Sequence, residues 1–198
     1  VNIDQTKPLE YGTHKNEMNI LGFWIFLGAE IMLFATLFTS YFIYENRIGS
    51  GPSGAEIFEI TPVLIETIVL LTSSFTIGLA INAMRLNRTK ATLWFLAITL
   101  VLGATFLSVE IYEFIHYYHI GVTLQTSGFT GILLTTLGTH GAHVTFGLFW
   151  GIAIFLQIKK RGLTLETANK SFIYSLYWHF LDVMWIFIFS FIYLKGMM

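Results

Sequence analysis

The chain has 198 residues, of which 55% are hydrophobic, 17% aromatic and only 12% charged, and its formal net charge is −1. Soluble domains of this size carry roughly twice that charged fraction (~25%), so the composition excludes an ordinary soluble protein and marks an integral membrane protein. There is no cysteine, which excludes disulfides and thiolate metal sites and leaves His, carboxylates and backbone as metal donors.

The opening stretch VNIDQTKPLEYGTHKNEMN is polar and mixed in charge. It lacks the basic start and short apolar core of a secretory signal, so no cleaved signal is expected. A first span is predicted over about 20–44, interrupted only by Glu30. The loop ENRIGSGPSGAEIFEIT that follows is rich in Gly, Ser and Pro, the composition of an irregular connection. Pro62 sits where a helix start tolerates proline, and a second span runs over about 63–84 with Glu66 in its first turn.

After the basic loop RLNRTK, a third span over about 91–117 carries Glu110 and Glu113. The next loop, HIGVTLQTSGF, has no Lys or Arg. A fourth span over about 130–158 contains His140 and His143 and ends in KKRG, and a fifth, over about 172–194, carries His179 and Asp182 three residues apart on one helix face. The expected fold is all-α: a single domain, 1–198, forming an integral membrane bundle of five transmembrane helices.

Five spans put the termini on opposite sides. Lys7, Lys15, Arg85, Arg88, Lys90, Lys159, Lys160, Arg161 and Lys170 fall on one side, and only Arg47 and Lys195 on the other. By the positive-inside rule the amino terminus is cytoplasmic and the carboxyl terminus outside. Small or polar residues recur at helical spacing: Thr67, Ser74, Gly78 and Asn82 in the second span, Gly147 and Gly151 in the fourth, and Ser175, His179 and Asp182 in the fifth. In lipid such stripes mark helix-to-helix contacts.

Counting about 1.5 Å per residue from the cytoplasmic end of each predicted span places Glu30, His179 and Asp182 at about 13 to 18 Å. Glu66, Glu110, Glu113, His140 and His143 fall at about 22 to 35 Å. The count therefore predicts two tiers, with Glu30 packed beside His179 or Asp182. Glu110 with Glu113 and His140 with His143 each share a helix face, which suits either a nitrogen and oxygen metal site or plain hydrogen bonding between helices. A haem between His140 and His143 is disfavoured, because residues three apart on one helix cannot bind one iron from opposite faces. Glu30 stands alone in an apolar span, which fits proton movement or hydrogen-bonded packing equally.

These segments resemble subunit III of the haem-copper respiratory oxidases. GFWIFLGAEIMLFATLF at 22–38 is similar to the family's helix with a central glutamate, which assigns that place to Glu30. SVEIYEF at 108–114 resembles its paired-acid segment, HGAHV at 140–144 its HGxHV motif, and YWHFLDVMWIFIF at 177–189 its closing signature. The resemblance covers nearly the whole chain after the first fifteen or so residues.

What the resemblance implies is a subunit with no haem or copper of its own, packed mainly on the catalytic subunit I that holds them, with subunits II and IV as further partners and no nucleic acid. It also implies bound phospholipid, support of proton uptake, and a place in the bacterial cytoplasmic membrane. Seven-helix members have two further amino-terminal helices that form part of the lipid cleft and are not found in this sequence. Gln157 stands where some members have a basic residue, with Lys159 and Lys160 near enough to meet an anionic headgroup. The five-helix pattern is most like the quinol oxidase type. The alternatives are a cytochrome c oxidase subunit, a small proton-coupled transporter using Glu30, and a metal enzyme using the outer histidines. The transporter reading lacks the paired broken helices such a site needs.

Overall fold

A computed structural model of the chain describes residues 8–45, 47–48, 54–58 and 60–197, with Ala55 and Glu56 described by backbone alone. Part of the loop between the first two spans thus lies outside the described residues, as does Lys7. Among the described residues every regular element is helical. A single turn at Leu9–Tyr11 precedes α1 (His14–Tyr44), followed by the short α2 (Gly54–Ile57), α3 (Ile60–Arg85), α4 (Thr89–His119), α5 (Gly128–Arg161) and α6 (Leu165–Ile188), which continues as a π-helical segment, Phe189–Leu194. Five of these are long and apolar enough to cross a membrane: α1, α3, α4, α5, and α6 with its extension.

Each of the five spans read from the sequence is present, and most are longer than the apolar run suggests. The reason is capping. Thr13 accepts the backbone N–H of Asn16 at 3.2 Å, so α1 starts at His14 rather than near 20. Thr164 and Thr167 form a reciprocal capping box that starts α6 at Leu165, and Ser127 with Thr130 does the same for α5. Such polar first turns carry no hydrophobic signal, yet once capped they extend the helix beyond the lipid-facing segment. The α3–α4 turn is tight and places Asn87 at φ 55, a left-handed conformation that asparagine tolerates well.

The bundle is built around α6, which touches α1, α3 and α5. More than half of its most apolar window is buried, 56% against 17% for α1. Large aromatic rings fit there because glycines face them. Gly103 of α4 and Gly147 of α5 both lie against the Trp178 indole, and Gly151 lies against Tyr174. At the end bearing the amino terminus, Arg85 donates through Nε and Nη2 to the fully buried Glu10 carboxyl, at 2.9 and 2.7 Å. Asn169 donates to the carbonyls of Glu10 and Asn16, and Asn16 to that of Leu165, which ties the chain start to α6. At the other end Lys195 pairs with Glu45, 2.6 Å apart.

This packing makes two glycines in similar sequence settings behave differently. A Cβ at Gly103 would lie 2.6 and 2.7 Å from ring atoms of the buried Trp178, whereas one at Gly28 would meet nothing within 4 Å. Gly103→Ala is expected to destabilise the detergent-solubilised protein by about 1–3 kcal/mol through overpacking. Gly28→Ala should leave it unchanged or raise its stability by up to about 1 kcal/mol through helix propensity. Equal melting temperatures for the two variants would contradict the packing described.

Candidate functional site

The residues singled out by the sequence fall into three groups, and their partners differ from those the depth count gave. Glu30 of α1 meets His143 of α5, with Oε2 3.1 Å from Nε2. It is not paired with His179 or Asp182, and the two-tier reading is corrected on this point. Depth alone does not select the partner, because His179 and Asp182 stand about 21 and 26 Å from the start of α6 at Leu165, close to the level of Glu30; His179 faces Ser74 of α3, and Glu30 faces α5. Glu30 lies sixteen residues after the true helix start at His14, and His143 lies eighteen residues before the helix end at Arg161. At 1.5 Å per residue these are about 24 and 27 Å from the same end of the bundle, so the two side chains share a level.

The Glu30–His143 contact can be specified to the proton. His143 Nδ1 lies 2.7 Å from the carbonyl oxygen of Thr139, one turn earlier. A carbonyl only accepts, so Nδ1 carries hydrogen and donates. Between Nε2 and the Glu30 carboxyl there is then one hydrogen to share: either the acid donates to a neutral imidazole, or an imidazolium donates to a carboxylate. Both side chains are mostly sheltered, 21% and 15% exposed. Tyr177 of α6 donates to the His143 carbonyl at 3.0 Å, and Phe34 packs on the imidazole. A shallow apolar crevice of about 250 Å³, lined by Phe26, Ala142, His143, Phe146 and Tyr177, opens beside the pair.

The second group is at the interface of α3 and α6. His179 Nδ1 lies 2.7 Å from the Ser74 hydroxyl. Asp182 lies behind, buried, with its Oδ2 3.9 Å from the same nitrogen. The expected stripe Thr67, Ser74, Gly78 and Asn82 therefore divides. Thr67 accepts the indole N–H of Trp185 and Ser74 meets His179, while Gly78 and Asn82 are exposed.

The third group is the outer cluster of acids. Glu66, Glu110 and Glu113 are all buried, and Glu66 lies within electrostatic reach of the other two. Tyr193, on the π-helical segment, donates to Glu113 Oε2 at 3.0 Å. His140 is fully buried among Phe34, Phe106 and Trp185, with neither ring nitrogen hydrogen-bonded among the described residues. His140 and His143 thus serve different neighbours. Among the described residues no three His, Asp or Glu side chains are grouped so as to hold a metal ion, and the donor set of the outer-histidine metal option does not form. Lys159 and Lys160 are exposed in the last turn of α5, and Gln157 accepts from Lys170 at 3.3 Å.

Residues that the sequence reading did not single out hold much of this together. Trp178 Nε1 donates to Ser73 Oγ at 2.9 Å, and the hydroxyls of Thr76 and Thr99 join α3 to α4 at 2.8 Å. The signal was available in the Trp and Tyr residues of the last span, since an indole N–H or phenol O–H at membrane depth requires a partner.

The shared hydrogen predicts how Glu30 responds to substitution. A Gln amide can donate to Nε2 as the acid does, so Glu30→Gln is expected to melt within a few degrees of the parent protein. Glu30→Met leaves a sheltered imidazole nitrogen without its partner and should cost about 1–3 kcal/mol. A Met variant as stable as the parent would show that the contact contributes nothing.

Comparison with known proteins places this arrangement in a family. The family model for cytochrome c oxidase subunit III matches residues 10–197. The chain is 54% identical over 190 residues to the quinol oxidase subunit 3 of Bacillus spizizenii and 53% identical to that of Bacillus subtilis, covering 96% of this chain and 93% of each relative. It is 46% identical over 191 residues to the cytochrome c oxidase subunit 3 of Bacillus sp. strain PS3, covering 96% of this chain and 92% of the relative. With five apolar spanning helices and near-complete coverage of these relatives, the chain is a multi-pass bacterial membrane protein and belongs to the cytochrome c oxidase subunit III family.

Proposed function

We propose that this chain is the non-catalytic subunit III of a proton-pumping bacterial quinol oxidase, which reduces oxygen to water. In this reading haems and copper reside in subunit I, the chain stabilises that subunit and supports its proton uptake, and subunits II and IV complete the complex. The amino terminus lies in the cytoplasm, with the basic residues at that end facing anionic headgroups, Lys159 and Lys160 among them. Phospholipid occupies grooves on the bundle.

The observation that carries the supporting role is the way the polar groups are used. Glu30 meets His143, Ser74 meets His179, Ser73 meets Trp178, Thr67 meets Trp185 and Glu113 meets Tyr193, each pair joining different elements. Polar pairs of this kind hold membrane helices together, each contributing about 0.6 to 2 kcal/mol. They are distributed along the bundle instead of converging on one reaction centre. Glu30 and His143 are then a packing pair that fixes α1 against α5. The second reading, a cytochrome c oxidase subunit, is supported by the 46% identical relative of that name.

Purification through a tag on this chain, followed by mass spectrometry and spectroscopy of the partners, tests the proposal. The expected result is a haem-containing complex that oxidises quinol, in which Glu30→Gln leaves the haem spectrum unchanged. Oxidation of reduced cytochrome c by the complex would favour the second reading. Stoichiometric haem or metal in this chain alone would overturn both.

A further inference from the structure

We propose that water enters the bundle between α3 and α4, at the end bearing the carboxyl terminus, and binds Glu66, Glu110 and His140, forming a polar inlet from that side of the membrane. The inference concerns the interior of this chain and stands apart from the subunit reading.

The first observation is a mouth. A cavity of about 70 Å³ lies between α3 and α4, lined by Ile57, Pro62, Tyr112, Glu113, His116 and Tyr117. A bound water needs about 10–15 Å³ of such space, so the cavity has room for several. Tyr112 and His116 are exposed, which opens it to the medium. The mouth is also near the membrane surface. Glu113 is six residues before the end of α4 at His119, about 9 Å. The helix has 31 residues, about 46 Å of rise against roughly 30 Å of hydrocarbon, so its ends reach the hydrated headgroup layer.

The second observation lies one turn deeper. Glu66 follows Pro62 by four residues and Glu110 precedes Glu113 by three, so both continue the faces of α3 and α4 that line the cavity. Glu66 is 0% exposed and Glu110 3%, and none of their four carboxyl oxygens has a hydrogen-bond partner among the described residues. A group of another kind follows. The Glu110 carboxyl lies against the α5 backbone, where a Cβ at Gly141 would stand 2.8 Å from Oε2, and His140 is the residue before that glycine. The His140 ring meets Phe106 edge-on, one turn further along α4 from Glu110, and both its nitrogens are buried without a partner among the described residues.

Six buried polar atoms, two each on Glu66, Glu110 and His140, thus lie behind one opening. Tyr117 and Tyr193 face Glu113. The basic side chains described at this end are engaged elsewhere, Lys195 with Glu45 and Arg47 over the Tyr44 ring. Buried polar groups in folded proteins are satisfied by other protein groups or by ordered water. Water suits this set, because one molecule can donate to a carboxyl oxygen and also donate to or accept from an imidazole nitrogen.

The absence of cysteine from the chain supplies the test, since a single substitution gives a unique thiol within it. Glu66→Cys and Glu110→Cys, in the chain purified with its native partners and reconstituted into vesicles, are treated with silver ion on one side at a time. Silver ion is small enough to follow water and binds a thiol. The thiol left over is measured by maleimide labelling of the denatured chain. Ser73→Cys, two turns beyond Glu66 and fully buried against Trp178, is the dry control. Silver applied at the carboxyl-terminal side should abolish labelling at positions 66 and 110 and leave position 73 labelled. Full labelling at 66 and 110 after silver on either side, or equal protection of all three positions, would overturn the inference. A stability measurement stands beside it for the case in which the cysteine variants do not assemble. Removing the acid takes a partner from bound water, so Glu66→Leu should melt several degrees below the parent and Glu66→Gln close to it. A Glu66→Leu variant that melts at or above the parent temperature would show a dry acid and contradict the inlet.

Discussion

A polar group at membrane depth has no water to fall back on, and in this protein the last helix carries most of the answer to that constraint. Trp178 and Trp185 donate to Ser73 and Thr67 of α3, Tyr177 to the His143 carbonyl of α5, and Tyr193 to Glu113 of α4. Each is a rigid ring with one hydrogen to give, so each fixes a distance and a rotation as well as a contact. The π-helical segment Phe189–Leu194 adds a residue per turn, and within it Ile192 and Tyr193 remain buried while Phe191 stays exposed. The remaining helices are arranged around these four donors, with α1 joined through Glu30 and His143 and through the asparagines at the chain start.

Much of this was legible in the sequence because apolar length and composition are strong signals in a membrane protein. The five spans and the small faces at Gly147 and Gly151 follow from length and spacing. The partner of Glu30 was not legible from an apolar run. His14 to Asn19 form a helix that begins at a Thr13 cap, and polar capped turns look like loop when hydrophobicity alone sets the boundary. Earlier starts shift α1 and α6 by similar amounts, about 9 and 10 Å, so Glu30 keeps the level of His179; its partner is decided by which neighbour its side of α1 faces, and spacing within one span does not give that. The Glu10–Arg85 and Asn16–Asn169 contacts were hidden for a different reason, since residues 75 and 153 positions apart meet only once the bundle is folded.

The same distinction bears on function. HGAHV and YWHFLD read in sequence as dense clusters of ligand-like groups. In three dimensions His140 turns into an aromatic cage, His143 joins Glu30, and His179 joins Ser74 at the bundle surface. Three histidines near one another in motif space thus serve three separate contacts. In the proposed reading the chemistry of the complex belongs to its partner, and this chain supplies a bundle whose internal polar groups set its shape.

The claim at the centre of this account is that Glu30 and His143 act on each other as a structural pair. A double-mutant cycle of Glu30→Met and His143→Leu in the intact oxidase, read by thermal stability and by oxygen turnover per haem, tests it most directly. The account predicts a coupling in stability of about 0.5–2 kcal/mol, with turnover following only the amount of assembled complex. Variants that assemble fully and melt with the parent, yet lose turnover, would contradict it.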